Sequence, residues 1–181
     1  MIAIGTFLLW VDSGAFGAKI TRFGTDGPWS HMALGFQMSN GDELYYEALN
    51  KQGFVGPRPL ADVRNFVKKN SRSIMALDYT ALTSDESEEV RKKCNLMVGT
   101  VGYGNWQLAL MGLSERYHFP VPHSPKKVVC SEAVSRLLVP FLDLRDRRRV
   151  RHDMVNPNSA WRRWMEIKAG FGWVNRPLSK Q

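Results

Sequence analysis

Cysteine is scarce in this sequence: 181 residues hold two, Cys94 and Cys130, and no CxxC pair. Two thiols close at most one disulfide, so no disulfide framework is expected and a reducing compartment is favoured. The cysteines and the four histidines show no metal-ligand spacing, so neither a metal nor a cofactor is expected. No apolar run approaches the roughly eighteen residues of a membrane-spanning helix, so no transmembrane segment is expected. Glycine (15) and proline (9) are too few for a collagen-like or proline-rich chain. The apolar stretch Met1 to Trp10 lacks a basic leader and is soon followed by Asp12. It reads as a first strand rather than a secretory signal, which points to a cytoplasm or a virus particle.

What is present suits a packed globule. Hydrophobic residues make up 44% and charged residues 23%, enough for a core without staples. The net charge of +8 is uneven: residues 1–125 carry 12 Lys/Arg and 12 Asp/Glu, whereas residues 126–181 carry 13 and 5. The excess basic charge in the last third suits an anionic surface or an assembly partner. We read the chain as a main domain, 1–142, and a basic, partly helical C-terminal appendage, 143–181.

Ile2 to Val11 reads as a buried strand, and Asp12 to Pro28 as a glycine-bearing loop with a helical turn around Ala15 to Thr21. Trp29 to Met38 alternates, with Met32, Leu34, Phe36 and Met38 on one face and His31, Ala33, Gly35 and Gln37 on the other. An Asn40-Gly41 turn then leads into a second strand, Leu44 to Leu49, making a hairpin. Lys51 to Pro59 reads as loop, Leu60 to Lys69 as a short helix and Ser73 to Tyr79 as a strand. Thr83-Ser84-Asp85-Glu86 has the form of a capping box, and Val90, Cys94, Met97, Val98 and Val101 form a helical stripe. Cys94 belongs to that stripe and reads as a small buried hydrophobe. Gly99 to Pro125 is irregular and rich in aromatics, with a helical stretch from Trp106 to Leu113. Ala133, Val134, Leu137, Leu138 and Phe141 mark another helix, which places Cys130 at its N-terminus. A last helix spans Asn158 to Ile167.

A nucleophilic cysteine must be a thiolate, and a helix N-terminus beside an imidazole favours that form. The first amides of such a helix also suit an oxyanion. Cys130 has the helix start, with Lys126 and Lys127 just before it. His31 is the best-placed base, because it lies on a strand whose neighbours Ala33 and Gly35 are small enough for a helix to approach. His118 and His123 lie in a proline-rich loop, and His152 in an arginine-rich one.

The local sequences around these residues resemble a known group. Gly27-Pro28-Trp29-Ser30-His31-Met32-Ala33-Leu34 resembles the "aromatic-Ser-His-Val-Gly-Ile" strand of the circularly permuted NlpC-type cysteine hydrolases. These are papain-like proteins that include the lecithin-retinol-acyltransferase-like group. Val128-Val129-Cys130-Ser131-Glu132-Ala133-Val134 resembles their "Cys-Ser-Glu-Leu-Val" helix start. Gly5-Thr6-Phe7-Leu8-Leu9 resembles their "Gly-Asp-Ile-Leu" strand, with Thr6 in place of Asp, and Tyr46-Glu47-Ala48 their "Ile-Glu-Ala" strand. Ala33 and Ala133 stand where that group usually has glycine and a larger aliphatic. The resemblance covers roughly residues 5 to 140 in four short blocks, with His before Cys as in the permuted group.

The resemblance implies an α+β, papain-like fold whose antiparallel sheet carries His31 and Glu47 and packs against the Cys130 helix. It implies Cys130 as nucleophile, His31 as general base and then acid, and Glu47 as the group that orients His31. With a two-residue Asn40-Gly41 turn, however, His31 faces Asn50, and a direct His31–Glu47 pair needs a longer loop or a bulge. Asn50 therefore stands as an alternative third member.

The function expected is a cysteine hydrolase, an amidase, peptidase or acyl transferase, working through a thioester on cell-wall peptide or lipid-type acyl substrates. A non-catalytic structural or docking module on the same fold is the alternative. In that case Trp161 and Trp164 on the last helix form an interface or core stripe. Nucleic-acid binding by Arg145 to Arg151 has no supporting motif and is not expected.

Overall fold

The computed structural model describes residues 1–12, 28–70, 72–104, 126–141 and 157–171. Its centre is a mixed α+β arrangement around a five-stranded antiparallel sheet. The strands are β1 (Ala3–Asp12), β2 (His31–Met38), β3 (Glu43–Leu49), β4 (Gly53–Pro59) and β5 (Ile74–Tyr79), in the order β4-β3-β2-β1-β5. The helices are α1 (Leu60–Lys69), α2 (Ser84–Met97), α3 (Cys130–Leu138) and α4 (Pro157–Phe171). Two short strands, β6 (Gly102–Tyr103) and β7 (Lys127–Val128), pair in parallel, and β7 runs directly into α3. No helix among the described residues is long and apolar enough to cross a membrane.

Strand alternation sorts the core into two layers. Leu8 and Trp10 of β1, Met32, Leu34 and Phe36 of β2, and Tyr46 of β3 face α2, α3 and α4. Phe7, Leu9 and Val11 of β1, Ala33 of β2 and Tyr45 of β3 face the other way, toward Leu60 of α1. The small positions on β2 thus serve a different neighbour from the one expected. A Cβ on Gly35 would lie 2.0 Å from the Phe7 ring. The bare glycine backbone makes room for that ring, while α3 packs on the larger Met32–Leu34 face.

The β2–β3 turn is one residue longer than expected. The Met38 amide donates to the Asp42 carbonyl and the Gly41 amide to that of Met38. Gly41 takes φ of 88°, closing a three-residue loop with a left-handed glycine. The register becomes Leu34↔Tyr46 and Gln37↔Glu43, and the ladder stops at Leu34.

Gly53–Pro59, read from sequence as loop, is a strand. Pro57 and Pro59 lack an amide hydrogen, yet β4 lies at the sheet edge, where one side needs no donor. A bulge separates Tyr45↔Arg58 from Glu47↔Val55. The extra β4 residue puts Arg58, rather than Pro57, opposite Tyr45.

The start of α2 matches its sequence signature. The Thr83 amide donates to Glu86 Oε2 (2.8 Å), and the Glu86 amide donates to Thr83 Oγ1 (3.3 Å). The helix ends at Met97, so Val98 and Val101 pack on the core from beyond it. Gly99 follows at φ 71°, as expected after a helix end. α3 ends at Leu138 and tightens into a 3-10 turn, Val139–Phe141, around Pro140.

The segment expected as an appendage enters the core through α4. Ala160 and Trp164 are buried there. Trp161 packs against Trp10 and Trp29 with ring centroids 5.1 and 5.2 Å apart. Asn158 accepts the Trp29 amide and donates to the Trp29 carbonyl, both at 2.8 Å. This two-way clamp fixes the chain two residues before His31. The expected helical turn near Ala15, the Trp106 to Leu113 stretch, His118, His123, His152 and the Arg145 to Arg151 cluster lie outside the described residues.

Candidate active site

Cys130 is the first residue of α3, and its side chain is 3% exposed. The Glu132 carboxylate accepts the Val129 amide at 3.3 Å. Val129 has no side-chain oxygen to return the bond, so only half of a capping box forms. Glu132, in the first turn of α3 where the helix dipole favours a carboxylate, is buried and ion-paired with Arg136 one turn on.

The sulfur lies where β2 and β3 part. Past Leu34 the Met32 amide has no β3 carbonyl to meet, and it donates to Cys130 Sγ instead. The Ser131 amide donates to the same sulfur. Burial pushes the thiol up, but the His31 charge and hydrogen bond and these two amides outweigh it, leaving the Cys130 pKa below its ordinary value.

His31 opens β2 and is paired through Val11 with β1. Its Nε2–H donates to Glu47 Oε2 at 2.8 Å, and a hydrogen bond joins the ring to Cys130. With Nε2 engaged by Glu47, Nδ1 is the nitrogen left for sulfur. Burial disfavours the imidazolium. The Cys130 charge and hydrogen bond, followed by those of Glu47, overcome it and raise the His31 pKa to about 10. Both shifts run in the direction that favours a thiolate beside an imidazolium.

Glu47 reaches His31 along a diagonal. Continued past Leu34, the observed register would set Glu47 level with Ala33, two residues from His31 and on the same face. Diagonal neighbours about 7–8 Å apart are within reach of long side chains, so neither a bulge nor a direct pair is needed. Asn50, the alternative third member, is exposed in the turn after β3.

The Glu47 side chain is 8% exposed and has partners besides His31. Arg58 Nη1 donates to Glu47 Oε1 at 2.7 Å. The Tyr45 hydroxyl also hydrogen-bonds to Glu47. Burial raises the carboxyl, but the His31 and Arg58 contacts hold its pKa below the usual carboxylate value. Sequence reading missed both Arg58 and Tyr45. Arg58 sits in Gly56-Pro57-Arg58-Pro59, which carries no strand signal, and its aim depends on the bulge.

Tyr103 packs against the core beside the site. Burial, then the Cys130 charge, pushes its phenol up, so it stays protonated. Trp106, in the same aromatic-rich stretch, lies outside the described residues. Among the described residues no group of three or more His, Cys, Asp or Glu could hold a metal ion. Chemically, the arrangement offers a thiol whose ionisation is favoured, an imidazole on its flank and a carboxylate behind that imidazole. No family model matches the chain, and no curated protein matches it.

Proposed function

We propose that the protein is a cysteine-dependent hydrolase or acyl transferase on a circularly permuted, papain-like fold, with its catalytic residues within 1–142. The observation that carries this reading is the unbroken link from Cys130 to His31 to Glu47. Chain order supports the permuted arrangement, because the strands bearing His31 and Glu47 precede the helix that bears Cys130.

In the proposed reaction the Cys130 thiolate attacks the carbonyl carbon of an amide or ester. His31 gives its proton to the departing amine or alcohol, leaving a thioester on Sγ. It then takes a proton from incoming water or amine, which attacks the thioester. Collapse expels the thiolate and restores the ion pair. Glu47 holds the imidazole and supports its positive charge. Backbone amides at the start of α3 stabilise the oxyanion. Cell-wall peptide amides and lipid-type acyl groups are the substrate classes proposed. The basic excess after residue 125 suits an anionic polymer, a lipid headgroup surface or an assembly partner.

The test is the alkylation rate of each cysteine against pH, read by mass spectrometry on wild type and His31→Ala. Cys130 is expected to react as a thiolate well below the ordinary thiol range, and His31→Ala to move that profile upward. A Cys130 that titrates normally and ignores His31 would sink the enzyme reading in favour of a docking module. If the profile is as expected, amide and acyl-ester substrates are screened with Cys130→Ala as the blank.

A further inference from the structure

We propose that Arg58 and Tyr45 are positioning residues that clamp the Glu47 carboxylate so that one oxygen is held against His31. The proposal rests on the active-site reading above and extends it to two residues that do not touch the reacting atoms.

Three observations carry it. First, the contacts divide the carboxylate: Arg58 Nη1 takes Oε1 at 2.7 Å and His31 Nε2 takes Oε2 at 2.8 Å. A carboxylate bonded through one oxygen can turn about its last torsion, which is soft. Bonded through both, it cannot turn without breaking a charge-assisted bond. Second, Tyr45 stands two residues before Glu47 on the same strand face, and its hydroxyl reaches the carboxylate. The Tyr45 ring also lies beneath the Arg58 guanidinium, 5.7 Å from ring centroid to the central carbon. Tyr45 therefore contacts both ends of the Arg58–Glu47 pair. Third, the β4 bulge is what delivers Arg58. Without it Pro57 would stand opposite Tyr45, and the second carboxylate oxygen would lose its cation.

The charged and titratable groups around Glu47 are His31 from β2, Tyr45 from β3 and Arg58 from β4. Asp62 of α1 acts on Tyr45, and Cys130 of α3 acts through His31. This set makes the sign of an Arg58 substitution diagnostic. If Arg58 were only a nearby cation, removing it would favour the imidazolium and raise the pH at which His31 loses its proton. If Arg58 is a clamp, removing it frees Glu47 to turn away, and His31 loses its proton at lower pH.

The experiment is a pH titration of the His31 ring nitrogens by NMR on the full chain, assigned with His31→Ala. Wild type, Arg58→Met, Arg58→Lys and Tyr45→Phe are compared, and the inertness of Cys94 to alkylation certifies each fold. Wild-type His31 is expected to titrate far above its ordinary value. Arg58→Met should lower that midpoint by about one unit, the size typical of a displaced partner. Arg58→Lys, which keeps a charged donor, should recover most of it, and Tyr45→Phe should lower it less. An unchanged or raised midpoint in Arg58→Met overturns the clamp and leaves the Cys130–His31 reading intact. A wild-type midpoint near 6.5 overturns the ion pair and the clamp together.

Discussion

Cys94 and Cys130 are both helical and both buried, at 0% and 3% exposure, yet their chemistry diverges. Cys94 sits well inside α2, where the helix satisfies its own backbone and Val90 and Val128 belong to the same apolar core. Burial pushes its thiol far up, and the Arg91 charge only partly opposes this. Cys130 suffers a similar burial penalty, but two backbone amides and an imidazole meet its sulfur, and its pKa falls. Burial alone therefore does not predict whether a cysteine is inert. The number and charge of the donors aimed at sulfur decide it.

The largest expected effect is the gap itself. At pH 7 in the native protein, Cys130 should alkylate at least about a thousand times faster than Cys94, because the thiolate is the reacting form. Rates within about tenfold of each other would erase the contrast. Next comes removal of the imidazole. His31→Ala leaves the two amides in place but removes the positive charge. Cys130 reactivity at pH 6 should fall about a hundredfold, moving it toward Cys94. A smaller loss would mean that the amides of Met32 and Ser131 carry most of the thiolate's stability.

Glu47→Gln tests the link behind the imidazole. Glutamine keeps the shape and one acceptor but loses the charge that supports imidazolium. The proton on His31 should then be lost at lower pH, so the ion pair spans a narrower pH range on its alkaline side. The sign follows from His31 being raised to about 10. Its imidazolium contributes stability that is complete below its ordinary pKa of 6.5 and is lost as pH rises through about 10. Titration of the His31 ring in the variant reads this directly, and no shift would remove Glu47 from the site.

How much of this was legible in the sequence depends on the kind of signal. Signals confined to neighbouring residues were read well. Alternation on β2 assigned Met32 and Leu34 to one face and His31 to the other, and the Thr83–Glu86 box marked the start of α2. The apolar stripe after Cys130 marked the start of α3. Signals that depend on register were not legible. One extra turn residue removed Asn50 from contention, and Glu47, named by its local sequence block, meets His31 along a diagonal that counting residues across the turn did not give. Arg58 needed both an edge strand tolerant of proline and a bulge. The smallness of Gly35 was visible, but its occupant was not. A strand cannot announce which neighbour fills a gap on its face, and here Phe7 does so in place of α3.

The smallest expected effect approaches the contrast from the Cys94 side. α2 is tied to the first strand by Glu88, whose Oε2 accepts the Ala3 amide at 2.8 Å while both its oxygens accept from Arg91. The Arg91 hydrogen bond, with the Ala3 amide behind it, holds the Glu88 pKa down to about 2. A depressed carboxyl contributes stability that is present above its ordinary pKa of 4.5 and is lost as pH falls toward about 2. Glu88→Gln should therefore cost about 1–2 kcal/mol near neutral pH, the usual size for a charge-assisted pair at a partly buried seam. The penalty should shrink on acidification, checked by denaturant unfolding at pH 7 and pH 2.5. If the opening that exposes Cys94 passes through this seam, Cys94 alkylation should rise about tenfold, since 1.4 kcal/mol is a factor of ten in the open population. The Cys130 rate should not change, because its sulfur is held by β2 and α3. A parallel rise in both cysteines would mean that they are exposed by one global unfolding. Their difference would then lie in sulfur chemistry alone and owe nothing to how firmly each helix is docked.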